Sequence, residues 1–250
     1  MKEFLRTTLR TIATCYLRIR SRPYLIDPVD PCVIISPHQD DETFGCAGLI
    51  HHFRMAERRV EIIYLTDGAA SHPGHPTLKP ADVAQLRRRE AIAAMTLLNV
   101  SEESLHFMDA PDGTLSHLLP AETFTLLDRL ATLLAKLQPA ELFIPCEKDS
   151  SSEHEAAFHL VSQALVKRNL APHVLQYPVW ARWRPQRLFK IGAKSRRVWR
   201  HSFDQSSSLK RTAVACYASQ TQPLPPWKDA VLPRGFADCF ATSEEYFFES

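Results

Sequence analysis

The sequence predicts an α/β protein: a Rossmann-like, mostly parallel sheet with helices on both faces, folded as a single domain. Three observations carry this. Short apolar, β-branched runs recur along the chain, and helix-like segments alternate with them. The first three such runs empty into loops or turn signals: Ser36-Pro37, then Thr66-Asp67-Gly68, then Pro111-Asp112-Gly113. The 250 residues, 45% of them hydrophobic, suffice for one sizeable core.

Residues 1–22 read as a basic amphipathic helix. Lys2, Arg6, Arg10, Arg18, Arg20 and Arg22 face a single acid, Glu3, and Leu5, Leu9, Ile12, Tyr16 and Ile19 fall at helical spacing. Such a helix either docks on an anionic membrane surface or covers one edge of the core and solvates its charged face. It makes a poor signal peptide, because arginines flank a short, interrupted apolar stretch. Residues 22–31 hold three prolines and read as a linker. The expected division is therefore residues 1–30, helix and linker, and residues 31–250, the catalytic-type domain.

Within that domain, Cys32–Ser36 is a buried strand and residues 43–57 fit a helix. Residues 60–65 form a second strand, and residues 69–80, with His72, His75 and three prolines, a loop beside the site. A helix over residues 82–98 carries Arg87, Arg88 and Arg89. Residues 104–108 give a third strand, 121–137 a helix, Glu141–Pro145 a fourth strand and 153–168 a helix. Residues 173–180 and 187–191 read as further strands. Beyond Lys210 come a helix and a Pro-rich loop, Pro223 to Pro226.

Several functions are set aside at this level. A net charge of +2 does not call for nucleic acid as a partner. No apolar run is long enough to span a bilayer. Cys15, Cys32, Cys46, Cys146, Cys216 and Cys239 are scattered, with no Cys-x-x-Cys pair, as expected for reduced thiols in a cytoplasmic protein. No Gly-x-Gly-x-x-Gly or Walker pattern follows the first strand, which argues against a dinucleotide.

In place of those glycines, the first strand ends in His38-Gln39-Asp40-Asp41-Glu42. In open α/β folds, ligands bind where strands end. His38 and Asp41 are three residues apart and can reach one ion, and zinc accepts nitrogen and oxygen ligands. His154, just past the fourth strand, opens on the same edge and is the best third ligand. Asp40 is then free for acid–base work on a water that zinc activates. Two other readings stand beside this one. Asp40 or Asp41 would also serve as a helix N-cap, and His154 as a surface helix residue. Trp180, Trp183 and Arg184 would either stack on a sugar ring or belong to the core.

Pro37-His38-Gln39-Asp40-Asp41-Glu42 resembles the (Ala/Pro)-His-Pro-Asp-Asp-Glu signature of the PIG-L/LmbE-like zinc-dependent N-deacetylases. Thr66-Asp67-Gly68, Arg87-x-x-Glu90, Pro111-Asp112-Gly113 and a late Lys210…Ser219-Gln220 stretch agree with it, so the likeness runs from about residue 32 to about residue 246. The resemblance implies a zinc hydrolase, one ion per chain, that removes acetyl from an N-acetylglucosamine-type sugar. It makes His38, Asp41 and His154 the ligands, Asp40 the general base, and Arg87 and Asp112 substrate-holding residues. Gln39 stands where the family has proline, and is expected only to relax the loop. Ser151 stands where the family has a second histidine, whose loss would remove a stabiliser of the tetrahedral intermediate. Zinc itself, Lys148, His72 or His75 are the candidates to fill that gap, and Glu153, replacing Asp, to orient a ligand. The expected alternatives are a weak or idle metal-containing protein that binds sugars or a partner, and a hydrolase of another amide.

Overall fold

Val33, Ile34 and Ile35 are wholly buried, as a central parallel strand covered on both faces requires. They belong to β2 (Cys32–Ser36), around which the rest is organised. The computed structural model describes residues 2–25, 31–203 and 207–249. In order, the elements are α1 (Lys2–Arg20), β1 (Arg22–Pro23), β2, α2 (Asp41–Met55), β3 (Val60–Thr66), α3 (Pro80–Leu97), β4 (Leu105–Ala110) and α4 (Pro120–Leu137). Then follow β5 (Glu141–Pro145), α5 (Ser152–Lys167), β6 (His173–Tyr177), α6 (Trp180–Trp183), α7 (Pro185–Lys194), β7 (Arg197–Ser202), α8 (Ser207–Ala215), α9 (Ala218–Thr221) and β8 (Glu244–Glu249).

One sheet runs β1-β7-β8-β6-β5-β2-β3-β4. The β4, β3, β2, β5 and β6 strands are parallel, and β8 is antiparallel to both β6 and β7. From β2 the chain moves outward through β3 and β4, then returns to β5 on the other side of β2. Strand order therefore reverses between β2 and β5, and a crevice opens there at the strands' C-terminal ends.

Two large apolar clusters cover the two faces. Ile34, Ile62 and Tyr64 pack with Phe53 of α2, Met95 of α3 and Val214 of α8. Val33, Ile35 and Ile63 pack with Leu130 and Leu134 of α4 and Val161 of α5. Prolines at the first turns of α3, α4 and α7 fix where those helices begin, since the missing N–H is not needed there.

Residues 187–191, expected as a strand, lie inside α7. Pro185 opens that helix, and Leu188 and Ile191, three apart, turn to one side while Arg187 and Lys190 turn away. Strands β7 and β8 were not expected at all.

The linker expected at 22–31 begins as β1, paired with β7, and residues 26–30 lie outside the described residues. The apolar residues singled out on α1 are not the ones it buries. Ala13 and Leu17 are buried, whereas Leu5, Ile12 and Ile19 are 59%, 55% and 85% exposed. The close approach of α1 to α7 depends on Gly192, where a Cβ would lie 2.5 Å from Leu17 Cδ2. Its arginines reach back to the body. Arg18 pairs with Glu244 at 3.0 Å, and Arg20 donates to the carbonyls of Ala193 and Ser195 at the end of α7. Among the described residues no helix is long and apolar enough to cross a membrane.

Candidate metal centre and active site

The loop from Pro37 to Asp40 is held to the end of β3 from both sides. Thr66 donates to Pro37 O through its N–H (3.1 Å) and its hydroxyl (2.8 Å). Gln39 Nε2 donates to Thr66 O at 2.7 Å, and Arg87 donates to Gln39 O. Gln39 thus pins the loop rather than relaxing it, because its amide supplies a tether that proline lacks. Gly68 makes room for it. Its φ is +70°, and a Cβ there would sit 2.5 Å from Gln39 Oε1. Tension collects at Asp40, whose φ of 145° is one that side-chain-bearing residues rarely adopt, at a cost of about 1–3 kcal/mol. Asp40 occupies the N-cap position of α2 but makes no side-chain cap hydrogen bond, so its carboxylate is left for the crevice.

His38, Asp41 and His154 come together across the β2–β5 switch point. Asp41 Oδ2 lies 3.1 Å from His38 Nδ1 and 3.2 Å from His154 Nε2. Ligands bound to zinc at about 2.0–2.2 Å on a tetrahedron stand about 3.3–3.5 Å apart, so this spacing fits one ion with little adjustment. His154 is wholly buried, and its Nε2 has no hydrogen-bond partner. Its Nδ1 lies 2.7 Å from Asp149 Oδ2, the carboxylate–histidine pairing that orients a metal-ligating imidazole. Asp149 is fixed in turn by the N–H groups of Val179, Trp180 and Ala181, each 2.9 Å away. A buried imidazole whose Nε2 meets only the Asp41 carboxylate is what a bound metal would satisfy.

Asp40 and Arg87 stand beside this cluster, with Asp40 Oδ1 3.4 Å from Arg87 Nη2. Asp112 lies 3.3 Å from His38 Nε2 and accepts from Ala70 N at 2.9 Å. Glu153 lies 2.8 Å from His38 Nε2 and also accepts from the Gly113 and Leu115 amides. Electrostatics follow from this crowding. Burial pushes the Asp40 carboxyl up to about 8, against the opposing pull of Arg87. Asp41 is held well below the carboxylate range: burial would raise it, but His154 and His38 outweigh that. Burial also lowers both imidazoles. Asp41 and Asp149 nevertheless lift His154 to about 9, and Asp112, Asp41 and Glu153 lift His38 well above its ordinary value.

His38, Asp40, Asp41, Arg87, Asp112 and Glu153 line a crevice of ≈ 520 Å³. Phe44, Val179, Trp180, Leu232, Phe236 and Arg184 also line it, so polar and apolar groups share the lining.

The structure brings together His38, Asp40, Asp41, Arg87, Asp112 and His154. It does not bring Lys148, His72 or His75 into the crevice. Lys148 is an exposed partner of Glu147, and His72 and His75 are buried against Trp227 behind the loop. Ser151 is at the wall, but its hydroxyl accepts from His154 N as the cap of α5. Trp180 and Trp183 part company: the first lines the crevice, the second lies under Arg6 and Arg10. Asp149 escaped the reading of the sequence. Its only local signal is an acid at the end of a buried strand, five residues before His154.

An open α/β sheet with a His/Asp/His cluster at its switch point defines an enzyme scaffold with a metal-capable crevice. The profile of the family described as PIG-L: GlcNAc-PI de-N-acetylase matches residues 33–165, more than half of the chain. The chain belongs to this family and is an N-deacetylase-type hydrolase. No curated protein sequence matches it. Among solved structures, it is similar to a deacetylase of teicoplanin biosynthesis, with TM-score 0.65, 19% identity and coverage of 87% of this chain and 96% of that one. It is also similar to the N,N'-diacetylchitobiose deacetylase of Pyrococcus horikoshii, with TM-score 0.58, 18% identity and coverage of 95% and 82%. A third is the 4-carboxy-2-hydroxymuconate hydratase of Pseudomonas putida, with TM-score 0.61, 21% identity and coverage of 77% and 80%. At these identities the likeness establishes the fold, which hosts more than one chemistry.

Proposed function

We propose that the chain removes the acetyl group from an N-acetylated amino sugar, carried in a glycoside or glycoconjugate, by zinc-dependent hydrolysis. The observation that carries this is the meeting of His38 Nδ1, Asp41 Oδ2 and His154 Nε2, with the Asp40 carboxylate free beside them. The family supports an amide substrate, and of two similar structures one is by name a deacetylase of teicoplanin biosynthesis and the other an N,N'-diacetylchitobiose deacetylase. A zinc ion held by His38, Asp41 and His154 would supply Lewis acidity and lower the pKa of water in the crevice.

Asp40 accepts a proton from the attacking water, whose oxygen bonds to the acetyl carbon. As the C–N bond breaks, the same carboxyl returns that proton to the amine nitrogen, leaving acetate and a free amino sugar. Arg87 holds Asp40 in place, and Arg87 and Asp112 reach the sugar. Glu153 steadies His38 from its far side, as Asp149 steadies His154.

The test is acetate release by the zinc-loaded protein from N-acetylglucosamine, its glycosides and a lipid-linked form, with Asp40→Asn alongside. Release that needs both zinc and Asp40 is expected. Ser151 favours the second reading, a weak or idle protein, because its hydroxyl caps a helix instead of facing substrate. Silence across the panel, with one zinc bound, would establish that reading instead.

A further inference from the structure

We infer that a second cavity, between α1 and residues 233–242, is a binding site for a phosphate-type oxyanion. At ≈ 780 Å³ it is larger than the catalytic crevice. Arg6, Arg10, Arg18, Arg182 and Arg234 line it, against one lining carboxylate, Asp238. Two of these cations are already engaged. Arg18 pairs with Glu244, and buried Arg182 donates to Cys239 O at 2.7 Å and Thr242 Oγ1 at 2.9 Å.

The other three have no carboxylate partner among the described residues. The Arg6 and Arg10 guanidinium carbons lie 4.8 and 4.0 Å from the centre of the Trp183 ring. Such stacking fixes the plane of a guanidinium and leaves its N–H edge for an acceptor. Arg10 Nε is buried without a hydrogen-bond partner, and Arg10 Nη2 reaches only Trp183 O, at 3.4 Å. Arg234 is exposed and has no ion pair among the described residues. A buried donor left unmatched costs stability, and a charged acceptor restores it. A carboxylate offers two oxygens, whereas phosphate offers enough to meet several planar forks at once.

Two sources present this chemistry: a free phosphate compound or a lipid headgroup. The outer face of α1 bears on the choice, since exposed Leu5, Ile12 and Ile19 fall seven residues apart along the helix. An apolar stripe beside a basic groove is what an interfacial helix presents to an anionic bilayer.

The experiment uses the zinc-loaded protein with α1 intact. Calorimetric titration with inorganic phosphate and with glycerol phosphate is repeated on Arg10→Gln and Arg234→Gln. Each substitution is expected to weaken binding about tenfold, the loss of one charge-assisted contact. Arg234 is exposed, so its variant keeps the wild-type melting temperature and remains informative if Arg10→Gln fails to fold. Equal affinity in wild type and Arg234→Gln would assign the phosphate to the catalytic crevice and overturn the inference. Co-sedimentation with phosphatidylcholine vesicles, with and without phosphatidylglycerol, separates the sources. Binding that needs phosphatidylglycerol and falls in both Ile12→Ser and Arg234→Gln supports a lipid phosphate. Phosphate binding without vesicle binding supports a soluble one, and neither kind of binding overturns the site.

Discussion

Two clusters of buried charge sit along α2, and they are built in opposite ways. Beside its middle, Lys210 Nζ donates to Phe44 O and to Glu245 Oε1, both at 2.7 Å. The Glu245 oxygens also accept from the Gly48 and Leu49 amides. At the N-terminus of α2, by contrast, His154 Nε2, Arg87 Nε and Gln39 Oε1 are buried without hydrogen-bond partners. The first cluster is saturated and joins α2, α8 and β8. The second is rigidly aimed but incomplete. Burial of charge is common to both, so burial alone does not mark the reactive site.

The sharpest way to break the comparison is to exchange what each cluster loses on mutation. Asp40→Asn should lower turnover by about 10²–10⁴-fold while zinc content and melting temperature stay near wild type. Lys210→Met should do the reverse. Removing one member of a buried pair costs about 3–5 kcal/mol, read by denaturant unfolding, with kcat per folded molecule retained.

Acid should separate the clusters further. His201 is pulled down to about 4, chiefly by burial. The unfolded chain takes up that proton near 6.5 and the folded chain only near 4. Stability is therefore intact above pH 6.5 and falls as pH drops towards 4, by at most about 3 kcal/mol at 1.36 kcal/mol per unit. His201→Gln should flatten that part of the unfolding-versus-pH curve. A curve as steep as wild type would count against a neutral, buried His201. The smallest expected effect is at Asp149. Asp149→Asn should weaken zinc about 10–100-fold in a chelator competition. A zinc affinity equal to wild type would remove Asp149 from the support of the site.

What the sequence revealed follows the same division. The strands at the switch point were legible to the residue, because Cys32–Ser36 and Glu141–Pro145 are short, apolar apart from Ser36 and Glu141 at their ends, and closed by prolines or loops. His38, Asp41 and His154 follow directly from those strand ends, so local pattern sufficed to bring them together. The saturated cluster was visible only through one weak fragment, Lys210 in the late Lys210…Ser219-Gln220 stretch. Glu245 was missed, because it lies in a strand that reads as acidic tail. Strands β7 and β8 hide for that reason: Arg197–Ser202 and Glu244–Glu249 are rich in charge, and their longest pairing is with each other, two segments distant in sequence. Asp149 required knowledge of which backbone amides would converge on it. The exposed stripe on α1 required the rotation of that helix on α7, which Gly192 sets and periodicity cannot.

The place of β8 in the sheet has a consequence for how the protein is made. Residues 244–249 slot between β6 and β7, and β7 carries β1. Until residues 244–249 are in place, no strand hydrogen-bonds β6 to β7, so the β1–β7 pair and α1, which packs on α7 and β7, lack their sheet connection to the rest. Nascent chains arrested near residue 240 should leave residues 2–20 open to protease while the β2–β5 region is already protected.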